Sequence, residues 1–288
     1  MKAVFRHELT SYFTGLTGYV FGAFLLLFAG IYTMVYNIQA ALAHFEYVLS
    51  GMSFVFLVAI PVLTMRVISE ERRQKTDQLL YSLPLSMTQV VLGKYAAMAV
   101  VMLLPIAIIC VYPLVLSGFG SLYLPAAYSA IGGFLFLGLA LLAIGMYVSS
   151  VTESQAVAAG LCFVVMLVNY IIADLSTYVS ATAFASLAAF MVLALAVCAV
   201  VWLMTKNGLL ALVLAAASEA GLVIVYTVNS TAFEGLFPQL MESLSLFEQF
   251  YSLLNGIFDL RSVVYLCSVA VFFLFLTVQS LEKRRWSE

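Results

Sequence analysis

The 288-residue chain is far more apolar than a soluble domain, with 65% hydrophobic and 9% charged residues, against about 45–50% and 25% in soluble proteins. Its 12 Lys and Arg and 14 Asp and Glu leave a net charge of −2, which provides no basic surface for nucleic acid. The composition excludes a soluble globular protein and a nucleic-acid-binding protein. It predicts an all-α polytopic membrane protein, because long apolar runs are stable where hydrocarbon is the solvent.

The spacing of the charged residues indicates where the membrane spans lie, since a charge at the bilayer centre is costly. Three uncharged runs have 19 or 20 residues, the length of one spanning helix, and they lie between Glu46 and Arg66, between Glu153 and Asp174, and between Arg261 and Glu282. The 58 uncharged residues between Lys94 and Glu153 suffice for two helices and a turn. The pattern predicts about eight spans, at residues 17–37, 50–68, 95–117, 126–149, 155–173, 183–204, 208–228 and 262–281.

The basic residues predict the orientation, because Lys and Arg collect in cytoplasmic loops. With the N terminus inside, eleven of the twelve are cytoplasmic and Arg261 alone is outside. Both basic termini are then cytoplasmic, which requires an even number of spans. Six and eight both fit, and the uncertain pair is 183–204 with 208–228.

Two segments outside the spans have an amphipathic pattern. Before the first span, apolar residues recur at helical spacing from Phe5 to Phe13, which predicts an interfacial helix; the alternative is a basic flank that only sets topology. Residues 229–261 carry apolar side chains at helical spacing with glutamates between them. This pattern predicts one or two amphipathic helices at the outer surface.

The cytoplasmic segment between the second and third spans is long and patterned. Helix-forming residues run from Glu70 to Leu83, and Pro84 ends the run. Ser86 and Gln89 form a capping box for the next helix. A connecting loop needs only about two to eight residues, so we interpret the helix at about 70–83 as a docking surface for a soluble partner. A solvated charged turn is the alternative.

The chain lacks a recognisable catalytic constellation. Its two histidines, His7 and His44, flank the first span on opposite sides, and Gly93-Lys94-Tyr95 lacks the upstream glycine of a phosphate-binding loop. We therefore expect no enzyme activity, and no metal or cofactor bound by this chain.

Few polar residues lie inside the predicted spans. Glu219 lies near the middle of 208–228, and Asn169 lies near an outer end of its span. Intramembrane polar groups are typical of transport paths, and these two are the candidate path residues. For Glu219 three readings stay open: a substrate path, a contact with another subunit, or a segment that does not span.

Two blocks of residues carry a resemblance to a known family. The first contains Pro61, Thr64-Met65-Arg66, Glu70-Glu71-Arg72-Arg73, Lys75 to Leu80, Pro84-Leu85-Ser86 and Leu92-Gly93-Lys94. The second contains Asp259-Leu260-Arg261, Tyr265 and Leu281 to Arg285. With the hydropathy in register between them, the chain resembles permeases of type-2 ABC exporters, especially the gliding-motility-like branch. Many members of the wider family carry Gly where Lys75 stands, and that branch shares the departure.

The resemblance implies a permease subunit in the cytoplasmic (inner) membrane of a bacterium. ATP and Mg²⁺ would be bound by a separate cytoplasmic ABC ATPase, present in two copies. The implied ATPase-coupling residues are Glu70, Glu71, Arg72, Arg73, Asp77, Leu79 and Leu80. The N-terminal helix would be the interfacial elbow helix of the family.

The resemblance also implies a second permease subunit, either the same chain or a different one, and it allows an outer-facing auxiliary protein. The family usually has six spans, so residues 183–228 would be an inserted pair. Two other functions stay open from the residues alone. One is an ion-coupled secondary transporter, and the other is a non-transporting membrane subunit that relays ATPase work to an outer-facing complex.

Overall fold

A computed structural model describes residues 1–75, 86–255 and 259–287, and over these residues the chain is helical without a strand. A π-helical turn, Met34–Gln39, extends the second helix, and a 3-10 turn lies at Ser230–Phe233. The α-helices are α1 (Lys2–Thr14), α2 (Thr17–Thr33), α3 (Glu46–Ser53), α4 (Phe56–Thr64), α5 (Ser69–Arg73), α6 (Met87–Ile109), α7 (Val111–Ser117), α8 (Leu124–Val151), α9 (Gln155–Ser176), α10 (Ala183–Thr205), α11 (Gly208–Val228), α12 (Leu236–Leu244), α13 (Leu246–Leu254) and α14 (Leu260–Ser287).

The all-α, multi-pass architecture predicted from composition is confirmed. Among the described residues, six helices are long and apolar enough to cross a membrane, and the bent pair α3 and α4 makes a seventh if it is one span. The sequence predicts about eight spans. The predicted span that is not among these seven is 183–204, where the structure has the 23-residue helix α10.

The helices group into two compact units, Met1–Tyr170 with Gln249–Glu288, and Ile171–Glu248. In the first unit, α8 is the central helix, since 72% of its apolar window is buried, against 28% for the first candidate span. Phe134 of α8 stacks on Phe56 with ring centroids 4.2 Å apart and meets Phe250 edge to face at 6.1 Å. These rings form the centre of the apolar core of this unit.

The helix pair α3 and α4, at the predicted second span, is bent by 57°. Backbone bonds of the i→i+3 type replace the α-helical pattern there, from Val55 to Met52, from Leu57 to Phe54 and from Val58 to Val55. The hydroxyl of Ser53 also donates to the Ser50 carbonyl at 2.7 Å, and such back-bonding by serine favours a bend.

The second unit contains the helix pair α10 and α11, at the position of the predicted insertion. The left-handed conformation of Lys206 (φ 51°) ends α10, and α11 begins at Gly208. Phe190 of α10 meets Phe237 edge to face at 5.6 Å, and Tyr226 of α11 meets Phe233 at 5.7 Å. These aromatic contacts hold the 3-10 turn and α12 against the helix pair.

Candidate functional site

The buried ammonium of Lys94 on α6, whose side chain is 3% exposed, has three hydrogen-bond acceptors in the first unit. It donates hydrogen bonds to Glu8 Oε1 at 2.6 Å, to Glu71 Oε1 at 2.7 Å and to the Val67 carbonyl at 3.0 Å. An ammonium has three donors, and here each has an acceptor. We call these four residues the Lys94 cluster.

The Lys94 cluster connects three parts of the chain that are distant in sequence. Glu8 lies on α1, Glu71 lies on α5 in the segment between the second and third predicted spans, and Lys94 lies on a helix long and apolar enough to cross a membrane. Charge-assisted hydrogen bonds with short distances are about twice as strong as neutral ones. A displacement of α5 therefore acts directly on α1 and on α6.

Close packing also fixes α1 on the bundle. Gly93 of α6 lies under α1, where an added Cβ would be 3.2 Å from Val4. The Tyr12 hydroxyl donates to the Leu63 carbonyl at 3.4 Å. Burial, together with the nearby Glu8 carboxylate, raises the pKa of Tyr12, so this phenol stays neutral and available as a donor.

The start of α5 is attached to the central helix α8 through Ser149. The backbone N–H groups of Ile68 and Ser69 both donate to the Ser149 hydroxyl at 3.2 Å. This serine side chain satisfies N–H groups at a helix start that would otherwise lack partners. This segment is described up to residue 75. Ser149 connects it to α8, and Glu71 connects it through Lys94 to α6 and α1.

The four predicted coupling residues within the described segment divide into two pairs. Glu70 and Arg73 reach the surface, and the Glu70 carboxylate lies 3.9 Å from Arg66. Glu71 points into the Lys94 cluster, and Arg72 is buried at 6% exposure. The other predicted coupling residues, Asp77, Leu79 and Leu80, lie outside the described residues.

The helix predicted at about 70–83 differs from its predicted form over its first, described part. The sequence predicts one helix over about 70–83, whereas α5 ends at Arg73 and Lys75 has a left-handed backbone with φ 56°. A residue with side chain in this conformation ends a right-handed helix. Glycine adopts positive φ without strain, and many members of the wider family that the chain resembles carry Gly at position 75.

Sequence reasoning missed Lys94 and Glu8 as members of the site. Lys94 marked the start of an uncharged run, and Glu8 was one of several charges in an interfacial helix. The sequence did contain one signal, because Lys94 is followed by 58 uncharged residues. A lysine at the end of such an apolar run is expected to need a carboxylate partner if its side chain is buried. The identity of that partner depends on the packing of α1.

The two candidate path residues lie in different compact units. Asn169 lies on α9 and is half-buried. Glu219 lies on α11, where both carboxylate oxygens are buried and have no hydrogen-bond partner among the described residues. A carboxylate without donors in an apolar helix pair is costly.

The second block of the family resemblance forms a helix start. Asp259 Oδ1 accepts from the Arg261 N–H at 3.0 Å, and Asp259 Oδ2 accepts from the Ser262 hydroxyl at 2.9 Å. These bonds, that of Ser262 first, lower the pKa of Asp259. Near the other end of α14, Arg284 lies 3.4 Å from Glu153, an exposed pair that contributes little to stability.

The apolar helices define an α-helical, multi-pass membrane protein. The chain matches the family model of the ABC-2 family transporter protein over residues 3–279 and belongs to that family. It is therefore a membrane permease component of an ABC transporter, and permeases of this family normally work with an ATP-binding subunit and are generally not catalytic themselves. No curated protein sequence matches the chain.

Proposed function

We propose that this permease exports its substrate across the cytoplasmic membrane, driven by ATP hydrolysed on a separate ATPase subunit that docks on the segment beginning at α5. Two ATPase copies, each with ATP and Mg²⁺, would serve a pair of permease subunits, which are two copies of this chain or this chain with another. The gliding-motility-like branch is the proposed subfamily, and the cytoplasmic membrane of a bacterium is the proposed location.

The Lys94 cluster is the observation that supports this proposal. A docking segment transmits force only if it is rigidly joined to the spans, and Glu71 is joined to Lys94 on α6 at 2.7 Å. The pair is largely shielded from solvent, where a charge pair is less screened by salt than a surface pair. The link to Glu8 extends the same connection to α1.

The exposed residues of α5 supply the proposed contact with the ATPase. Glu70 and Arg73 are three residues apart, so they lie on one face of the helix. They present opposite charges to a partner, which favours specific docking and register rather than high affinity. Glu71 and Arg72 then act inward, as positioning residues that hold the segment.

Affinity purification tests the docking. A tagged full-length chain, extracted from native membranes in mild detergent, should carry an ATPase with a phosphate-binding loop, identified by mass spectrometry. The double variant Glu70→Lys with Arg73→Glu reverses both exposed charges and keeps the net charge of the chain. It should lose most of the ATPase and retain normal membrane insertion.

The matched control is Lys283→Glu, which reverses an exposed charge on α14 and should leave the ATPase bound. Reproducible purification of the wild-type chain without an ATPase would overturn the proposal and favour an ion-coupled secondary transporter. ATPase binding without substrate movement in reconstituted vesicles would favour a subunit that relays ATPase work to an outer-facing auxiliary protein.

A further inference from the structure

A polar cavity of about 550 Å³ lies in the first unit, where the loop before α3 meets the start of α8 and the end of α13. The described residues that line it include His44, Glu46, Tyr47, Tyr123 and Tyr251. Ser149, which accepts the N–H groups at the start of α5, lies near the other end of α8. The cavity and the proposed docking segment therefore lie at opposite ends of the central helix.

Glu46, the first residue of α3, places a buried carboxylate in the wall of this cavity. The residue is 8% exposed, and its Oε2 atom has no hydrogen-bond partner among the described residues. An ionised carboxylate that is buried without a donor is costly. His44 Nδ1 lies 3.6 Å from this oxygen, which is too far for a hydrogen bond and close enough for an ion pair. The charge of His44 therefore bears on the stability of the wall.

His44 is placed so that its charge follows the pH of the solution. Its side chain is 61% exposed, so it exchanges protons with water. A histidine with the ordinary pKa of about 6.5 changes its charge between about pH 5 and pH 8, whereas a glutamate with the ordinary value of about 4.3 is ionised over this range. Opposite charges therefore face each other at mildly acidic pH, and only the carboxylate is charged at mildly alkaline pH.

The other titratable groups around His44 keep their charge over this range. Tyr47 meets His44 edge to face with ring centroids 5.7 Å apart, and Tyr36 lies 6.4 Å from Tyr47. Tyr123 and Tyr251 complete the titratable groups of the described wall, in which no lysine, arginine or aspartate takes part. Tyrosine side chains are ordinarily neutral below about pH 9. The charge of the described wall therefore changes through His44.

The pair also joins two elements, the loop of residues 40–45 and α3. Asn37 Nδ2 on the π-helical turn donates to the Leu42 carbonyl at 2.7 Å and to the His44 carbonyl at 3.4 Å. These bonds fix the loop to the turn that precedes it. The contact between the His44 and Glu46 side chains connects the same loop to the helix that follows.

We propose that His44 is a pH-responsive contact of this cavity: the protonated imidazole pairs with Glu46 and holds residues 40–45 on α3, and the neutral imidazole releases them. The pair contributes stability below the histidine range and loses it as the pH rises through that range. The helix dipole of α3 favours the Glu46 carboxylate whenever it is ionised, so the dipole does not produce this pH dependence. The inference goes beyond the proposed function, since the cavity shares no residue with the ATPase-docking segment.

A double-mutant cycle tests the pair in the full-length, detergent-purified chain. Thermal midpoints of the wild type, His44→Gln, Glu46→Gln and the double variant are measured at about pH 5.5 and at about pH 8. The coupling should be about 1–3 °C at the lower pH and should vanish at the higher pH. His7, the other histidine, lies exposed on α1 and provides the matched control. The cycle of His7→Gln with Glu46→Gln should show no coupling at either pH.

Hydrogen exchange provides a local measurement with a second variant. Exchange over residues 40–50, corrected for the chemical exchange rate at each pH, reports how often this region opens. In the wild type, opening should be about two- to five-fold more frequent at the higher pH than at the lower. His44→Lys carries a positive charge at both pH values, so it should abolish this difference.

The proposal is overturned if the His44–Glu46 coupling is absent at the lower pH or equally large at both. It is equally overturned if wild-type exchange over residues 40–50 does not differ between the two pH values, or if the difference persists in His44→Lys. If Glu46→Gln does not fold, as judged by gel filtration, the exchange of the wild type and His44→Lys decides.

Discussion

Glu8 and Lys94 are separated by 86 residues in sequence, and their charged groups lie 2.6 Å apart. The same ammonium binds Glu71 at 2.7 Å, so one lysine joins the N-terminal helix α1 to α5. The single positive charge of Lys94 therefore pairs with two carboxylates. The cluster therefore depends on Lys94 more than on either acid.

Lys94→Met should destabilise the chain by about 3–5 kcal/mol, because it leaves two partly buried carboxylates without their cation. The measurement is the thermal midpoint of the detergent-purified protein. Adding Glu8→Gln and Glu71→Gln removes the unpaired charges and should recover much of the loss. Lys283→Met, at an exposed lysine, is the control and should change the midpoint little. Equal midpoints for the single and triple variants would contradict the assignment.

Lys75→Gly should be more stable than Lys75→Ala by about 1 kcal/mol, because a left-handed backbone costs a residue with a Cβ about 1–2 kcal/mol. The φ of 56° at Lys75 is the basis of this prediction. Thermal midpoints of the two variants give the comparison. Lys283→Gly, within α14, should instead lower the midpoint, as glycine does inside a helix. If Lys75→Gly melts no higher than Lys75→Ala, the left-handed turn at this position is wrong.

Gly145→Ala should destabilise the chain by about 1–3 kcal/mol through overpacking, because a Cβ on α8 at this position would overlap the side chain of Thr64 on α4. Small residues permit this close approach of two spans. Gly160→Ala is the matched control, since no atom lies within 4 Å of a Cβ there, and it should be neutral or slightly stabilising. Comparable losses for the two variants would refute the predicted contact.

Glu219→Gln should raise the thermal midpoint, since it removes a carboxylate whose buried oxygens have no partner among the described residues; relief of that cost is about 1–3 kcal/mol. Glu234→Gln, at an exposed position, provides the control and should have little effect. For an ATP-driven permease, transport should continue in the Glu219→Gln variant. Loss of transport with normal folding would assign Glu219 to the path or to an ion-coupled mechanism.

The predicted docking residues show what a local sequence pattern can predict and what it cannot. Helix-forming residues and charges identified the segment that begins at Glu70, and helical spacing places Glu70 and Arg73 on one face. The same pattern does not distinguish a charge that faces solvent from one that is buried. Glu71 and Arg72 look as exposed as their neighbours in the sequence, yet one joins the Lys94 cluster and the other is buried.

The break at Lys75 was not predicted because lysine is a good helix former. The left-handed conformation of Lys75 lies in the turn that follows α5. A helix-propensity scale describes single residues and does not predict such a turn. The resemblance to a family with Gly at this position was the one sequence signal that pointed to a turn.

By itself, the sequence determined that this protein lies in a membrane and that it is helical. It also determined the approximate places of most spans and the family. The first three follow from hydropathy and charge spacing, which act over one helix length, whereas the family was indicated by a resemblance carried by two blocks of residues. Only the tertiary structure decided that Glu8 and Glu71 share Lys94, that Ser149 holds the start of α5, and that Glu46 and three tyrosines line one cavity. Such pairings depend on the register between helices, and register is set by side-chain packing across the bundle.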